Sequence, residues 1–97
     1  MEPIRFAGEI RYWSPGRSSG LAVVDVPQPF VAVLGGLKQA RVRGRMGAAP
    51  FTSSVMPAGG GRLALSVSKA MMSAAGAAVG ETVGIEISGT GRGEDTS

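Results

Sequence analysis

Apolar and polar positions in residues 63–87 change their period twice. Apolar side chains occupy every second position in residues 63–67 and again in residues 83–87, as in strands with one buried face. Between them, Ser68 can cap the start of a helix and Gly80 can end it in the left-handed conformation. The apolar face of this helix comprises Met71, Met72, Ala75 and Val79. The stretch therefore predicts a strand, a short helix and a second strand.

A similar pattern occurs about 40 residues earlier in the chain. Residues 21–26 form an apolar, β-branched run suited to a strand. After two prolines, apolar residues recur at helical spacing in residues 30–37. Gly35 and Gly36 weaken the last turn, so this helix should be short. Residues 41–46 then alternate again, which predicts another strand.

Each of these units follows a further alternating segment, residues 4–12 in the first half and 51–55 in the second. The chain therefore reads as β-β-α-β twice, which is an internal pseudo-repeat. The fold class that we predict is mainly β with two short helices.

Length and composition restrict the class of protein. A chain of 97 residues is one domain by the usual prior, and we place that domain in residues 1–88. Residues 89–97 have almost nothing to bury and are predicted to be a disordered tail. No basic leader with an apolar core opens the sequence, and no apolar run approaches the ~20 residues that span a bilayer. We therefore expect a cytoplasmic protein that makes no membrane contact.

Short motifs in a fixed order run along nearly the whole chain apart from the tail. They are Phe6, Trp13, Val26-Pro27, Val42-Arg43-Gly44, Pro50-Phe51, Ser54 with Met56-Pro57, residues 59–61, and Gly80 followed by Thr82-Val83. This order resembles domain-of-unknown-function family 1905, which consists of small bacterial and archaeal β-barrel domains. The resemblance implies a double-split β-barrel, an architecture also found in AbrB- and MazE-type DNA-binding dimers. The chain departs from the family pattern at Glu81, where Asp is usual, and at Met71 and Met72, where a basic residue is often found.

Candidate catalytic residues are few. The chain has no histidine and no cysteine, which excludes histidine-based triads, thiol nucleophiles and most zinc sites. Asp25 and Glu9 could meet across adjacent strands as a carboxylate pair for acid–base chemistry. The favoured alternative is that Asp25 is a surface or turn-capping acid. We therefore predict no catalytic, cofactor-binding or metal-binding residue, and a protein that is not an enzyme.

Two other motifs favour structural roles. Ser68 and Lys69 are adjacent at a helix start, where their side chains do not face each other, so capping accounts for Ser68 better than a Ser/Lys dyad does. The glycine-rich residues 57–61 precede a strand, whereas a phosphate-binding loop leads into a helix. A hairpin connection is therefore the favoured interpretation.

Three arginines on one strand are the strongest candidate for a binding site. On a strand Arg41, Arg43 and Arg45 project from one face at intervals of about 6.5–7 Å, close to the spacing of phosphates along a nucleic-acid strand. The alternative is a solvated outer face of the barrel in which Glu86 or Glu9 neutralises the arginines. The sequence favours this second interpretation.

Trp13 is the one tryptophan of the chain, and it falls in a predicted loop. It is either a binding contact or a lid over the end of the barrel. The lid is favoured, because small barrels need bulky side chains to fill them.

Two hypotheses about function follow. The first is a non-catalytic binding or interaction domain for an unknown protein or small ligand, with no cofactor. The alternative is a nucleic-acid-binding protein that uses the face of Arg41, Arg43 and Arg45. It is not favoured, since a net charge of +3 is mild for such a protein. Because both β-β-α-β units lie in one chain, we expect a monomer or a weak dimer.

Overall fold

The computed structural model describes residues 3–13 and 21–90, which form one antiparallel sheet with two short helical elements. The predicted tail begins within the last strand, and from residue 91 it lies outside the described residues. No helix in the described ranges is long and apolar enough to cross a membrane.

The mainly β fold class is confirmed. In chain order the elements are β1 (Ile4–Glu9), β2 (Arg11–Tyr12), β3 (Ala22–Val26), a 3-10 helix (Gln28–Phe30), β4 (Ala40–Met46), β5 (Ala49–Gly59), β6 (Arg62–Val67), α1 (Lys69–Ala75) and β7 (Thr82–Thr90).

The N-terminal segment bridges the two ends of the sheet. The strand order is β1-β7-β4-β5-β6-β3-β2, so β1 and β2 lie at opposite ends although only Ile10 separates them in the chain. The amide of Ile10 donates to the carbonyl of Glu81 at 2.9 Å, and its carbonyl accepts from the amide of Gly80 at 2.7 Å. The segment thus pairs first with β7 and then with β3. This double pairing curls the sheet into a barrel-like form.

β5 has the same role in the second half of the chain. Its first part pairs with β4 and its last part with β6, and Val55 is paired with both Ala40 and Leu65. If the two halves are exchanged, the pairs β1–β7 and β2–β3 correspond to β5–β4 and β5–β6. The strand pairings therefore confirm the predicted pseudo-repeat, with a 3-10 helix in the place of the α-helix in the first half.

One apolar cluster fills the inside of the curled sheet. Because side chains alternate between the faces of a strand, each strand contributes every second residue to it. All the buried side chains in the described residues are apolar, and no buried polar side-chain atom there lacks a hydrogen bond. The largest of the fully buried side chains are Ile10, Leu34, Met46, Leu63, Leu65 and Ile87.

The helix predicted in residues 30–37 is wrong as an α-helix. The structure has a 3-10 helix at Gln28–Phe30, followed by turns up to Gly35. Gly35 and Gly36 adopt φ angles of 99° and 90°, which a right-handed helix does not allow. The predicted apolar stripe is accordingly split, because Leu34 is buried while Val33 and Leu37 are about half exposed.

The helix predicted after β6 exists, but it is shorter than the pattern suggested. Ser68 caps its start as predicted, since the Ser68 Oγ accepts from the amide of Met71 at 3.1 Å. The predicted stop at Gly80 is wrong. The helix ends at Ala75, and Gly76 adopts the left-handed conformation with φ 67°. Glycine accepts this conformation without a Cβ clash, so the first suitable glycine ends the helix.

A bidentate ion pair between Arg11 and Asp25 joins β2 to β3 on the outside of the sheet. The guanidinium of Arg11 donates through Nε and Nη2 to the two carboxylate oxygens of Asp25, at 3.1 and 2.8 Å. The hydrogen bonds and charge of Arg11 hold the pKa of Asp25 below its ordinary value. The pKa of Arg11 is raised in turn. Asp25 thus has the surface role that the sequence favoured.

β4 and β7 approach each other unusually closely at one glycine. The register between them shifts between Arg43 and Gly44, which marks a β-bulge. A Cβ added to Gly44 would collide with the carbonyl oxygen of Glu86, and it would lie 2.9 Å from the Cα of Ile87. Only glycine fits at this position without movement of the backbone.

We expect the Asp25→Asn substitution to destabilise the protein in a pH-dependent way. An aspartate whose pKa is lowered by folding contributes stability above its unfolded pKa of ~3.9, and this contribution is lost as the pH falls through the folded pKa. Because the side chains of Arg11 and Asp25 are 31% and 42% exposed, the loss near pH 7 should be only about 0.5–1 kcal/mol. Urea unfolding curves of wild type and variant should therefore converge as the pH falls below the folded pKa of Asp25. Glu9→Gln, an exposed acid on β1, is the control. A deficit of the Asp25→Asn variant that stays constant with pH would contradict this account.

The Gly44→Ala substitution should lower the free energy of unfolding by at least about 2 kcal/mol, because the new methyl group meets backbone atoms that cannot rotate away. Urea unfolding followed by circular dichroism measures this loss. Gly84→Ala is the matched control on β7, since a Cβ there has no neighbour within 4 Å. Its effect should stay within about 0.5 kcal/mol. Equal stabilities of the two variants would show that β4 moves away from β7 without cost.

Candidate functional site

β4 places its three arginines on the outer face of the sheet. Arg41, Arg43 and Arg45 are exposed, whereas Val42 and Met46 on the other side are fully buried. This is the alternation that the sequence predicts for the strand. The three guanidinium groups therefore belong to one surface.

Neighbouring strands add another arginine and an acid to this surface. Glu86 of β7 lies opposite Arg45 of β4 on one side and opposite Arg5 of β1 on the other. Its carboxylate forms an ion pair with Arg5, with 3.0 Å between Oε2 and Nη2. Glu9, the other predicted partner, lies opposite Thr82 at the far end of β1. We call this surface the arginine face, and it comprises Arg5, Arg41, Arg43, Arg45 and Glu86.

The sequence interpretation missed Arg5 as a site residue. The alternation in residues 4–12 places Arg5 on the polar side of β1, but it does not show which residues of other strands lie beside Arg5. Its position beside Glu86 depends on the register between β1 and β7, strands that lie at opposite ends of the chain.

A shallow groove of ≈ 500 Å³ lies on the arginine face between β7, β4 and β5. Arg43 lies directly opposite Thr52, and Arg45 lies opposite Pro50. We call it the Arg43–Arg45 groove. Its lining comprises Arg43, Gly44, Arg45, Pro50, Phe51, Thr52, Glu86 and Ser88.

The guanidinium of Arg43 has a defined resting place on β7. A Cβ added to Gly89 would lie 3.5 Å from Nη2 of Arg43 and 3.6 Å from both Cζ and Nε. The three atoms are equally distant, so the guanidinium plane lies flat over Gly89. The hydroxyl of Ser88 also donates to the carbonyl of Arg43, at 3.4 Å. Both contacts hold Arg43 against β7 at the edge of the groove.

A second shallow groove of ≈ 490 Å³ lies on the other side of Glu86. Its lining includes the small residues Ala7, Gly47 and Gly84. The Arg5–Glu86 ion pair therefore separates two depressions of the outer surface. Among the described residues, Glu86 is the acid that lines both of them.

Trp13 belongs to the other end of the sheet. Its amide donates to the carbonyl of Leu21 at 2.7 Å, which continues the β2–β3 ladder by one step. Its carbonyl accepts from Nη1 of Arg11 at 3.5 Å, and the residue is half-buried. The structure therefore places Trp13 beside β3, whereas the three arginines lie on β4, and two strands, β5 and β6, separate β3 from β4 in the sheet. Its role as a lid or as a binding contact stays a prediction.

The remaining candidates from the sequence are the acidic residues, among them Asp25, and the glycine-rich residues 57–61. In the part of the chain that the structure describes, no three acidic residues lie close enough together to hold a metal ion. Both carboxylate oxygens of Asp25 are bonded to Arg11. β5 and β6 form the predicted hairpin, but its turn consists of Gly60 and Gly61 alone, because residues 57–59 belong to β5.

Comparison with known proteins gives a family but no function. No curated protein matches the chain. A family model described as "Domain of unknown function (DUF1905)" matches residues 6–87, which include β4 with its three arginines, Glu86 and most of the sheet. This match confirms the family that the order of motifs indicated. Because it covers most of the 97 residues, the chain belongs to the DUF1905 family.

Proposed function

We propose that this protein is a non-catalytic binding domain, and that its partner is an anionic protein or small ligand that contacts the arginine face. The observation that carries the proposal is that, among the described residues, four arginines and only one glutamate lie on this part of the outer surface of β1, β7 and β4, with Arg5 and Arg45 directly opposite the glutamate. Such a concentration of one charge raises the local concentration of oppositely charged partners.

The ion pair between Arg5 and Glu86 does not involve Arg41 or Arg45. Arg5 is 76% exposed at its side chain and Glu86 is 27% exposed, so solvent screens their interaction. Within residues 3–13 and 21–90 the structure shows no ion pair for Arg41 or Arg45. An anionic partner can therefore bind these two arginines without first displacing an acid.

The rest of the chain supports binding rather than catalysis. The sequence has no histidine and no cysteine, and the acids of the described residues do not converge. A small bacterial, cytoplasmic module without a cofactor, as expected from the sequence, is part of this proposal. So is a monomer or a weak dimer, because one chain supplies both β-β-α-β units and both ends of the sheet.

Nucleic acid is the second candidate partner, and the row on β4 favours it. Arg41, Arg43 and Arg45 are exposed at intervals of about 6.5–7 Å, which suits contact with successive phosphates. The double-split barrel of the AbrB- and MazE-type DNA-binding dimers, implied by the resemblance, is consistent with two β-β-α-β units.

The proposed function predicts that anionic probes bind at the arginine face. We expect poly-glutamate, heparin fragments and oligonucleotides to shift the amide NMR signals of β4, β5 and β7. The Arg41/Arg43/Arg45→Ala triple variant should weaken this binding at least about tenfold, because it removes the main opposing charge.

The matched control is the triple variant Lys38→Ala, Arg62→Ala and Lys69→Ala, which removes the same amount of positive charge outside the arginine face. Binding to it should stay within about threefold of wild type, since its exposed sites are off the face. Shifts that are absent, or that move to β3 and β6, would refute the proposal.

The nucleic-acid candidate predicts binding that depends steeply on salt. Affinity for single-stranded oligonucleotides should fall with salt concentration, and the Arg41/Arg43/Arg45→Ala variant should lower the slope of log K against log salt by about 2–3. Fluorescence anisotropy at several salt concentrations measures both. Flat binding curves for DNA and RNA at ~50 mM salt would exclude this candidate and leave the binding of other anions open.

A further inference from the structure

We propose that the Arg43–Arg45 groove is a binding site for a phosphoryl group, with Glu86 as an internal competitor that limits its affinity. The proposal rests on the proposed function, because it names the chemistry of the anionic partner and the part of the face that receives it. The phosphoryl group belongs either to a free nucleotide or to a nucleic-acid backbone. These two sources share the same chemistry at the groove.

Donors of the kind that phosphate prefers line the groove. Arg43 and Arg45 extend from the same side of β4, and the hydroxyl-bearing Thr52 lies directly opposite Arg43 on β5. A guanidinium offers paired N–H donors that match two phosphate oxygens, and it keeps its charge at all physiological pH values. Two such groups and one hydroxyl can surround three oxygens of a single phosphoryl group.

The β-bulge gives Arg43 a position that an ordinary strand would not. It falls between Arg43 and Gly44, and it sets Arg43 opposite Gly89. There the guanidinium lies over Gly89, within van der Waals distance of the position that a Cβ would take. Bulges often redirect a side chain next to a functional site. A guanidinium that is already held in place loses less conformational entropy on binding, which favours affinity.

The size and walls of the groove suit a ligand larger than phosphate alone. Its volume of ≈ 500 Å³ falls within the usual range for small-molecule sites, about 300–1,000 Å³. Pro50, which is exposed, adds apolar surface beside the charged groups. A phosphoryl group attached to a sugar and base can therefore use both kinds of wall.

Glu86 opposes this ligand from within the groove. Glu86 is one of the residues that line the groove, so a bound phosphoryl group would experience repulsion from its negative charge. Arg5 offsets part of this repulsion through its ion pair with Glu86 on the far side. Removal of the charge at Glu86 should therefore strengthen binding, whereas a purely structural role for Glu86 would have the opposite effect or none.

The test is a titration of the full chain with adenosine monophosphate and with a single-stranded oligonucleotide, followed by calorimetry and amide NMR. We expect Arg45→Ala to weaken the binding of adenosine monophosphate at least about tenfold and Glu86→Gln to tighten it severalfold. Arg62→Ala is the matched control, because Arg62 is an exposed arginine on β6 that belongs neither to the groove nor to the arginine face. It should change the affinity less than about twofold. Arg45→Lys, which keeps the charge, should retain part of the binding and shows that the effect is not a loss of folding.

Each result decides a different point. Absence of binding by both phosphate probes would overturn the inference, while retained binding of poly-glutamate would leave the proposed function standing. Equal losses in the Arg45→Ala and Arg62→Ala variants, or weaker binding by Glu86→Gln, would also overturn it. Saturable binding of adenosine monophosphate identifies a free nucleotide as a sufficient ligand. Binding that requires the oligonucleotide and shows the same pattern of variants identifies the nucleic-acid backbone instead.

Discussion

The double pairing of the N-terminal segment is the constraint on which the rest of the structure depends. The chain pairs with β7 up to Ile10 and with β3 immediately afterwards, so two distant edges of the sheet must come together at one residue. Ile10 is fully buried at this corner. β5 turns the same corner at Val55. A sheet held at two such corners curls, and its inner side encloses a core large enough to be stable.

The arginine face is a consequence of this closure. β1 and β7 come from opposite ends of the chain, and their pairing brings Arg5 to Glu86. The pairing of β7 with β4 brings the same glutamate opposite Arg45. Since the inner positions of these strands are taken by apolar residues, the charges occupy the outer positions that alternation leaves. The site is therefore assembled by the sheet as a whole, and no single segment of sequence contains it.

How much of the structure can be predicted from the sequence depends on how far apart in the chain the interacting residues lie. Local period identified the strands, and local chemistry identified the cap at Ser68, because both act over a few residues. Helix lengths were misjudged where competing stops were close together, as at Gly76 before Gly80. The bonding of Asp25 to Arg11, and of Glu86 to Arg5, depends on strand register. Register is set by the pairing of distant strands, so neither of these two pairs was predicted from the sequence.

Two glycines show how fold and site are separated on the same pair of strands. At Gly44 a side chain would meet the backbone of Glu86, which cannot rotate away, so this glycine is required by the fold itself. At Gly89 a side chain would meet only the guanidinium of Arg43, the flexible end of a long side chain. Its distances of 3.5–3.6 Å are those of ordinary van der Waals contact, so the strand can accept that change with Arg43 in place. Gly44 thus fixes the distance between β4 and β7, whereas Gly89 lies beside the guanidinium of Arg43 and leaves the spacing of the strands unaffected.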